Sequence, residues 1–195
     1  DMMPGFEHVL PPYWYKYGGD MSHDDFGIHA ANKIEEKINE IGPDNIAAFI
    51  GEPIQGAGGV IIPPDTYWPR VQEICNQYDI LLVVDEVICG FGRTGNWFGS
   101  DTYNIKPDII TMAKGITSGY IPLSGIMICD RVCETLINEG GEFYHGYTYS
   151  GHPVACAVSL ENLKIIKEEN LIEQSRNVSV YLEQQMCEIE KHPLV

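Results

Sequence analysis

Residues 80–86, ILLVVDE, carry the strongest strand signal of the chain, because large aliphatic residues follow one another and end in two carboxylates. An uninterrupted apolar run of this length is typical of a buried strand in a parallel sheet. Further short apolar runs of strand length lie at residues 46–52, 108–114 and 123–129. We therefore expect these runs to form the strands of a sheet.

Helical periodicity lies between and after these runs. Apolar residues recur at helical spacing over residues 27–41, and a second helix is expected to start near Thr66. Later helical patterns cover residues 130–138, about 152–169 and about 171–190. Strands that alternate with helices predict an α/β fold, in which a mostly parallel sheet has helices on both faces.

Two domains are expected, and neither is complete. The chain opens without an initiator methionine and stops directly after a helical run, so it is expected to be part of a longer protein. Residues 1–169 are interpreted as a large domain that lacks its N-terminal part. Residues 170–195 are interpreted as a helix that leads into a small C-terminal domain, most of which is missing. Within the large domain, residues 1–25 are rich in proline, glycine and aromatic residues and predict an irregular surface segment.

Composition excludes several classes of protein. Of the 195 residues, 44% are hydrophobic, which is enough to bury a substantial core. The 28 acidic and 12 basic residues give a formal net charge of -16, and such a field repels nucleic acid and anionic membrane surfaces. No apolar run approaches the roughly 18 residues of a membrane-spanning helix, and no signal-peptide layout is present, so a cytoplasmic location is expected. The six cysteines form no CxxC pair, which favours reduced thiols over disulfides or a metal site.

Two nucleotide-binding motifs compete for residues 80–95. P-loop enzymes hold magnesium at a strand that ends in acidic residues, but the chain has no GxxxxGK[ST] segment to cradle phosphates. This interpretation stays open only if that loop lies upstream of the chain. The glycines of residues 90–95 spell GxGxxG, yet residues 85–89 separate them from the end of the apolar run, and no helical periodicity follows. We interpret these glycines as a surface turn.

Ionisable residues follow three of the predicted strands. Glu52, Asp85 and Lys114 each lie at the carboxyl end of one strand. Ligands of open α/β sheets bind beyond these ends, so the three side chains are expected to share one crevice. Lys114 lies between Ala113 and Gly115 and is a candidate for a partly desolvated amine, the form that attacks carbonyl carbons. A solvated loop lysine is the alternative at this position.

Five motifs of the chain occur in the order and at the spacing of one enzyme family. They are EPIQGAGGV (52–60), ILLVVDEVICGFGRTG (80–95), PDIITMAKG (107–115), IPLSG (121–125) and HGYTYSGHPVACA (145–157). The chain thereby resembles, over its whole length, the class III (fold type I) aminotransferases that depend on pyridoxal 5'-phosphate (PLP). The resemblance implies the large domain of a fold type I PLP-dependent transferase.

The resemblance implies the central roles of two residues. Lys114 would hold PLP as an imine (Schiff base), release it to the substrate amine and then carry a proton between substrate and cofactor carbons. Asp85 would accept a hydrogen bond from the pyridine nitrogen and keep that nitrogen protonated. The ring could then take up the electrons left by deprotonation of the substrate.

Three further residues have an implied role and a structural alternative. Val87 lies on the same side as Asp85 if the strand continues, and it would pack on one face of the PLP ring; core packing is the alternative. Glu52 would lie at the floor of the cofactor site, or else serve as a capping carboxylate. Thr148 would present its hydroxyl and amide to the PLP phosphate of the neighbouring subunit, which implies a homodimer with shared active sites; an ordinary turn residue is the alternative. No metal is implied.

One departure inside the motifs bears on the substrate. Ile88 stands where the ornithine and 4-aminobutyrate enzymes of the family carry glutamine, so this motif resembles the branch that moves amino groups from ω-amines or ω-amino acids to pyruvate. The implied substrates are a small-molecule amino donor and a keto-acid acceptor. An aminomutase, a dialkylglycine decarboxylase and a non-catalytic binding relative of the same fold stay open as alternatives. The phosphate-binding loop and the substrate-carboxylate arginine of the family are not found in the chain.

Overall fold

Four strands form a single mixed sheet in the computed structural model, which describes residues 4–194 of the chain. The strands follow the chain order across the sheet and are β1 Ala48–Gly51, β2 Leu81–Asp85, β3 Ile109–Met112 and β4 Gly125–Ile128. Strands β1, β2 and β3 are parallel, and β4 runs antiparallel to β3. Each strand lies within one of the predicted apolar runs, so the α/β fold with a mostly parallel sheet is confirmed.

Seven α-helices complete the described part of the chain: α1 Trp14–Tyr17, α2 His23–Ile41, α3 Tyr67–Gln77, α4 Gly99–Thr102, α5 Asp130–Asn138, α6 Pro153–Glu168 and α7 Leu171–Ile189. Short 3-10 turns lie at Pro43–Asn45 and Lys114–Ile116. Within residues 4–194, no helix is both long and apolar enough to cross a membrane.

The prediction of an irregular segment over residues 1–25 is wrong in its second half. Helix α1 interrupts it, and α2 already begins at His23. Ser22 explains the early start, because its hydroxyl accepts a hydrogen bond from the backbone N–H of Asp25 at 3.1 Å and so caps the helix. Residues 1–3 lie outside the described residues, as does Val195 of the predicted C-terminal helix.

The core lies on one face of the sheet, beneath α2 and α3. Its fully buried members include Phe26, Ala30, Trp68, Val71, Ile74, Leu82 and Val84. Gly27 lets the two helices meet closely, because a Cβ atom at this position would lie 2.1 Å from Oγ1 of Thr66. Burial of each large apolar side chain stabilises the fold by about 1.5–3 kcal/mol.

The opposite face of the sheet stays partly exposed in residues 4–194, although helices were expected on both faces. Ile50 of β1 is 53% exposed and Ile126 of β4 is 65% exposed. The pairing register places both on the same face as Asp85. The β2–β3 connection contains only the four-residue α4, and the β3–β4 connection contains no α-helix.

Candidate active site

The three ionisable residues predicted at strand ends lie at one edge of the sheet. Glu52 directly follows β1, Asp85 is the last residue of β2, and Lys114 is the second residue after β3. Because these strands are parallel neighbours, their carboxyl ends share an edge. Asp85 pairs in register with Thr111, three residues before Lys114, on a strand about 4.8 Å away.

Asp85 has a fixed carboxylate with one oxygen to spare. Its Oδ1 accepts a hydrogen bond from the backbone N–H of Val87 at 3.0 Å, and the side chain is half-buried. No other described residue donates a hydrogen bond to the carboxylate. The local turn therefore orients the group and leaves Oδ2 able to accept a hydrogen bond from a ligand.

Val87 lies beyond the end of strand β2. The alternation of side chains along a strand therefore does not decide on which side of the sheet Val87 lies. Strand β2 ends at Asp85, and residues 87–94 form consecutive turns. What Val87 contributes in the structure is the backbone N–H that orients the carboxylate of Asp85.

Lys114 opens a 3-10 turn with a left-handed backbone conformation, at φ 42°. For a residue other than glycine this conformation costs about 1–3 kcal/mol and persists only where the surroundings enforce it. The side chain is exposed, and within residues 4–194 it forms no salt bridge. A strained backbone conformation and an amine without a salt bridge, at the carboxyl ends of parallel strands, are typical of a functional site.

A neighbouring turn leaves little room for a side chain at the residue after Lys114. A Cβ atom on Gly115 would lie 3.0 Å from Cβ of Phe91 and 3.3 Å from the carbonyl oxygen of Gly90. The 3-10 turn therefore packs directly on the glycine-rich turn that follows β2. Lys114 also lines a cavity of about 560 Å³ together with Ile88, Phe91 and Arg93, and Asp85 does not line that cavity.

Glu52 lies at the same edge but serves the local turn. Its Oε2 accepts a hydrogen bond from the backbone N–H of Gly56 at 2.9 Å, which closes the turn after β1. It lines a different cavity, of about 960 Å³, between the N-terminal segment and β1. This hydrogen bond fits the capping role that is its structural alternative, and the place of Glu52 at the floor of the cofactor site stays a prediction.

Thr148 lies away from these contacts within one copy of the chain. It belongs to a turn in residues 148–151, is exposed, and lines neither cavity. Large aromatic side chains around it are exposed as well: Phe143, Tyr144, Tyr147 and Tyr149. Asp85, Lys114 and Glu52 thus share one edge of the sheet without lining a common cavity, and Thr148 lies in a separate exposed turn.

Glu86 is a buried carboxylate whose role the sequence did not reveal. Its side chain is fully buried and accepts hydrogen bonds from the backbone N–H groups of Gly99 (2.8 Å) and Ser100 (2.7 Å) and from the Ser100 hydroxyl (2.6 Å). These bonds occupy both carboxylate oxygens and cap α4. Glu86 thus anchors the loop after β2. Among the described residues, no group of three or more His, Cys, Asp or Glu side chains could hold a metal ion.

Two buried cysteines have thiols with raised pKa values. Burial raises the pKa of the Cys75 thiol to about 12 and also raises the pKa of the Cys89 thiol. Thiols react as thiolates, so both remain unreactive near neutral pH. Of these two cysteines only Cys89 lies near the candidate site, beside Glu86 and Glu52, and Lys114 remains the candidate nucleophile.

Comparison with known proteins identifies the family. The family model for class-III aminotransferases matches residues 1–195. The putrescine–pyruvate aminotransferase of Pseudomonas aeruginosa is 59% identical over 194 residues, which cover 99% of this chain and 42% of that protein. The diaminobutyrate–2-oxoglutarate transaminase of Halomonas elongata is 48% identical, with coverage of 96% and 42%.

Solved structures agree with these relatives. An (S)-enantioselective omega-transaminase from Thermomicrobium roseum superposes with a TM-score of 0.93 at 49% identity, over 99% of this chain and 43% of that one. The omega transaminase from Pseudomonas jessenii in complex with PMP gives a TM-score of 0.95 at 48% identity, over 100% and 44%. The chain spans less than half the length of the relatives that it matches. Its full-length match to the family model, together with these identities, shows that the chain belongs to the class III aminotransferase family.

Proposed function

We propose that this chain carries the reactive centre of a PLP-dependent aminotransferase, which moves the amino group of an ω-amine or ω-amino acid to a keto acid such as pyruvate. The proposal rests on the position of Asp85 and Lys114 at the carboxyl ends of neighbouring parallel strands. The relative that is named for putrescine and pyruvate, at 59% identity, supports a diamine as donor and pyruvate as acceptor.

The residues at the sheet edge fit the cofactor of the family. Class III aminotransferases depend on PLP, so the cofactor predicted from the sequence is confirmed for the family. PLP presents a carbonyl group that reacts with amines and a ring nitrogen that donates a hydrogen bond when protonated. Lys114 offers an exposed amine and Asp85 an oriented carboxylate with a spare oxygen. When bound, PLP supplies an aromatic ring that takes up the electrons of substrate deprotonation.

Each residue would have a distinct task. Lys114 would bind the cofactor covalently and, once the substrate amine has displaced it, would accept and return a proton at Nζ. Asp85 would accept the hydrogen bond of the ring nitrogen at Oδ2 while Val87 holds Oδ1. The side chain of Val87 would contact the face of the ring. Glu52 would lie at the floor of the cofactor site while its Oε2 stabilises the adjacent turn.

The assembly and the cellular setting form part of the proposal. Thr148 would bind the phosphate of the neighbouring subunit in a homodimer, and its exposure within the aromatic segment of residues 143–149 supports a contact with another copy. Residues 1–169 would belong to the PLP-binding domain and residues 170–195 to the helix that leads out of it. The break between α6 and α7, where Asn170 has φ 54°, supports this boundary. The protein would act in the cytoplasm.

The test uses the intact protein that contains this chain, incubated with putrescine and pyruvate. We expect alanine to form, and we expect Lys114→Ala to lower the rate of alanine formation by about 1,000-fold or more, because the amine is lost. Lys106→Ala, an exposed lysine just before β3, is the matched control and should keep the wild-type rate.

Other outcomes would contradict the proposal in distinct ways. A protein that never takes up PLP and forms no alanine would be a binding relative. Isomerisation of the donor without use of pyruvate would indicate an aminomutase, and release of carbon dioxide from a dialkylglycine would indicate a decarboxylase.

A further inference from the structure

We infer that Asn162 is a positioning residue, which holds the turn of Lys114 in the conformation that presents the amine to the cofactor. The inference rests on the proposed function of Lys114. Asn162 lies on α6, 48 residues after the lysine in the chain, and contacts the turn directly. Nothing in its sequence neighbourhood marks it as part of the site.

One side-chain amide makes three hydrogen bonds to the residues that follow Lys114. Its Nδ2 donates to the carbonyl oxygen of Gly115 at 2.9 Å and to that of Ile116 at 3.1 Å. Its Oδ1 accepts from the hydroxyl of Ser118 at 2.7 Å. The orientation of the amide is unambiguous, because the two carbonyls can only accept and the NH₂ group must face them.

The turn needs such support because two of its residues have unfavourable backbone conformations. Lys114 has φ 42° and Ser118 has φ 49°, both in the left-handed region that disfavours residues with a side chain. The bonds of Asn162 end on the carbonyls between these two residues and on the side chain of the second. Release of the amide would let the turn relax toward ordinary φ values and would carry the lysine away from Asp85.

A second contact shows which motion of the turn Asn162 would resist. On another side the turn packs on the glycine-rich loop, where a Cβ atom on Gly115 would lie 3.0 Å from Cβ of Phe91. Steric contact resists motion toward Phe91 but cannot resist motion away from it. The hydrogen bonds of Asn162 supply attraction that resists this second motion, beside the bond that the hydroxyl of Thr117 donates to the carbonyl oxygen of Ile121 at 2.7 Å.

Substitutions of Asn162 and Ser118 should differ in their effect according to the hydrogen bonds that each one removes. Alanine removes all three bonds and leaves two carbonyls without this donor. Aspartate has nearly the shape of asparagine but places a negative charge against two carbonyl oxygens, so it is expected to be at least as harmful. Ser118→Ala removes one of the three bonds and should have a smaller effect in the same direction.

The experiment compares Asn162→Ala, Asn162→Asp and Ser118→Ala in the intact protein, with Asn177→Ala as the matched control on the exposed surface of α7. Amide hydrogen exchange of the peptide over residues 114–118 is measured with and without PLP. We expect exchange to become about 10-fold faster in both Asn162 variants and less so in Ser118→Ala, while the control stays at the wild-type rate.

Two further readouts separate positioning from simple support of the fold. The visible absorption band of the cofactor bound to Lys114 should titrate with a different apparent pKa in the Asn162 variants. The kcat should fall about 10- to 100-fold with little change in KM, because a displaced amine impairs the chemical step more than substrate binding.

Faster exchange with an unchanged titration and unchanged kcat would overturn the positioning role, as would exchange that stays at the wild-type rate. If the Asn162 variants fail to fold, the Ser118→Ala variant decides by the same three readouts. Failure of the proposed function looks different: the wild-type protein would then form no alanine from putrescine and pyruvate, whatever the exchange data show.

Discussion

Glu86 is a charged side chain that is fully buried beneath the loop that follows β2. Its carboxylate accepts three hydrogen bonds from Gly99 and Ser100. Glutamine has the same size but only one accepting oxygen, and its NH₂ group would face a backbone N–H. We expect Glu86→Gln to lower the free energy of unfolding by about 2–4 kcal/mol, measured by urea denaturation of the intact protein.

The matched control for this prediction is Glu183→Gln, an exposed glutamate on α7. It should change the free energy of unfolding by less than about 0.5 kcal/mol. Equal effects of the two substitutions would mean that the buried carboxylate does not stabilise the loop.

Residue-level roles were predictable from the sequence only where a local pattern reveals them. Asp85 and Lys114 could be placed because each follows an apolar run, and parallel strands bring such ends to one edge. Glu86 has the same neighbours in sequence as Asp85, yet the two side chains meet different surroundings. Its partners lie 13 and 14 residues away and are small residues at the start of α4, with no sequence signature.

At the scale of elements, Asp108 ties together the beginnings of two strands and a helix. It precedes β3, and its Oδ2 accepts a hydrogen bond from the backbone N–H of Leu82 in β2 at 2.9 Å. Its Oδ1 accepts from Nε of Arg131 in α5 at 3.0 Å. Burial alone would raise the pKa of Asp108, but the hydrogen bonds from Arg131 and Leu82 outweigh it and hold the pKa below the usual value of 3.8.

We expect Asp108→Ala to lower the free energy of unfolding by about 2–3 kcal/mol at neutral pH, because the buried N–H of Leu82 loses its acceptor. Since the pKa is lower in the folded state, the contribution of the charge is present above pH 3.8 and is lost as the pH falls through the lower folded value. The difference between the wild type and the variant should therefore shrink at acidic pH. Urea denaturation across this pH range measures it.

Asp79→Ala is the control, because Asp79 pairs with the same arginine at 2.7 Å but is 86% exposed. An exposed ion pair contributes little, so its loss should cost less than about 1 kcal/mol. A difference between Asp108→Ala and the wild type that persists undiminished below the folded pKa would contradict the role given to the charge.

Elements were predictable in type and roughly in position, since hydrophobic periodicity is a local property of the chain. The start of α2 was missed because Ser22 caps the helix inside a segment whose composition favours loops. The content of the connections was harder to predict, because the residues between β2 and β3 fold mainly as turns around Glu86.

At the scale of the whole molecule, the residues proposed for the reaction lie in two places, at an edge of the sheet and in a surface segment. Asp85 and Lys114 lie at the edge, while Thr148 lies in an exposed turn with large aromatic side chains around it. Exposed aromatic groups in such number are typical of an interaction surface. This surface supports the proposal that Thr148 serves the active site of a second copy.

Hybrid dimers test this arrangement directly. One subunit carries Lys114→Ala, the other carries Thr148→Asp, whose carboxylate would repel the cofactor phosphate, and two different affinity tags allow the hybrid to be purified. If sites are shared, one site combines the intact Lys114 of the second subunit with the intact Thr148 of the first, whereas the other site has both substitutions. The hybrid should then show about half the wild-type activity although both parent dimers are nearly inactive. If Thr148 instead served its own subunit, each site would contain one damaging substitution and the hybrid would be as inactive as its parents.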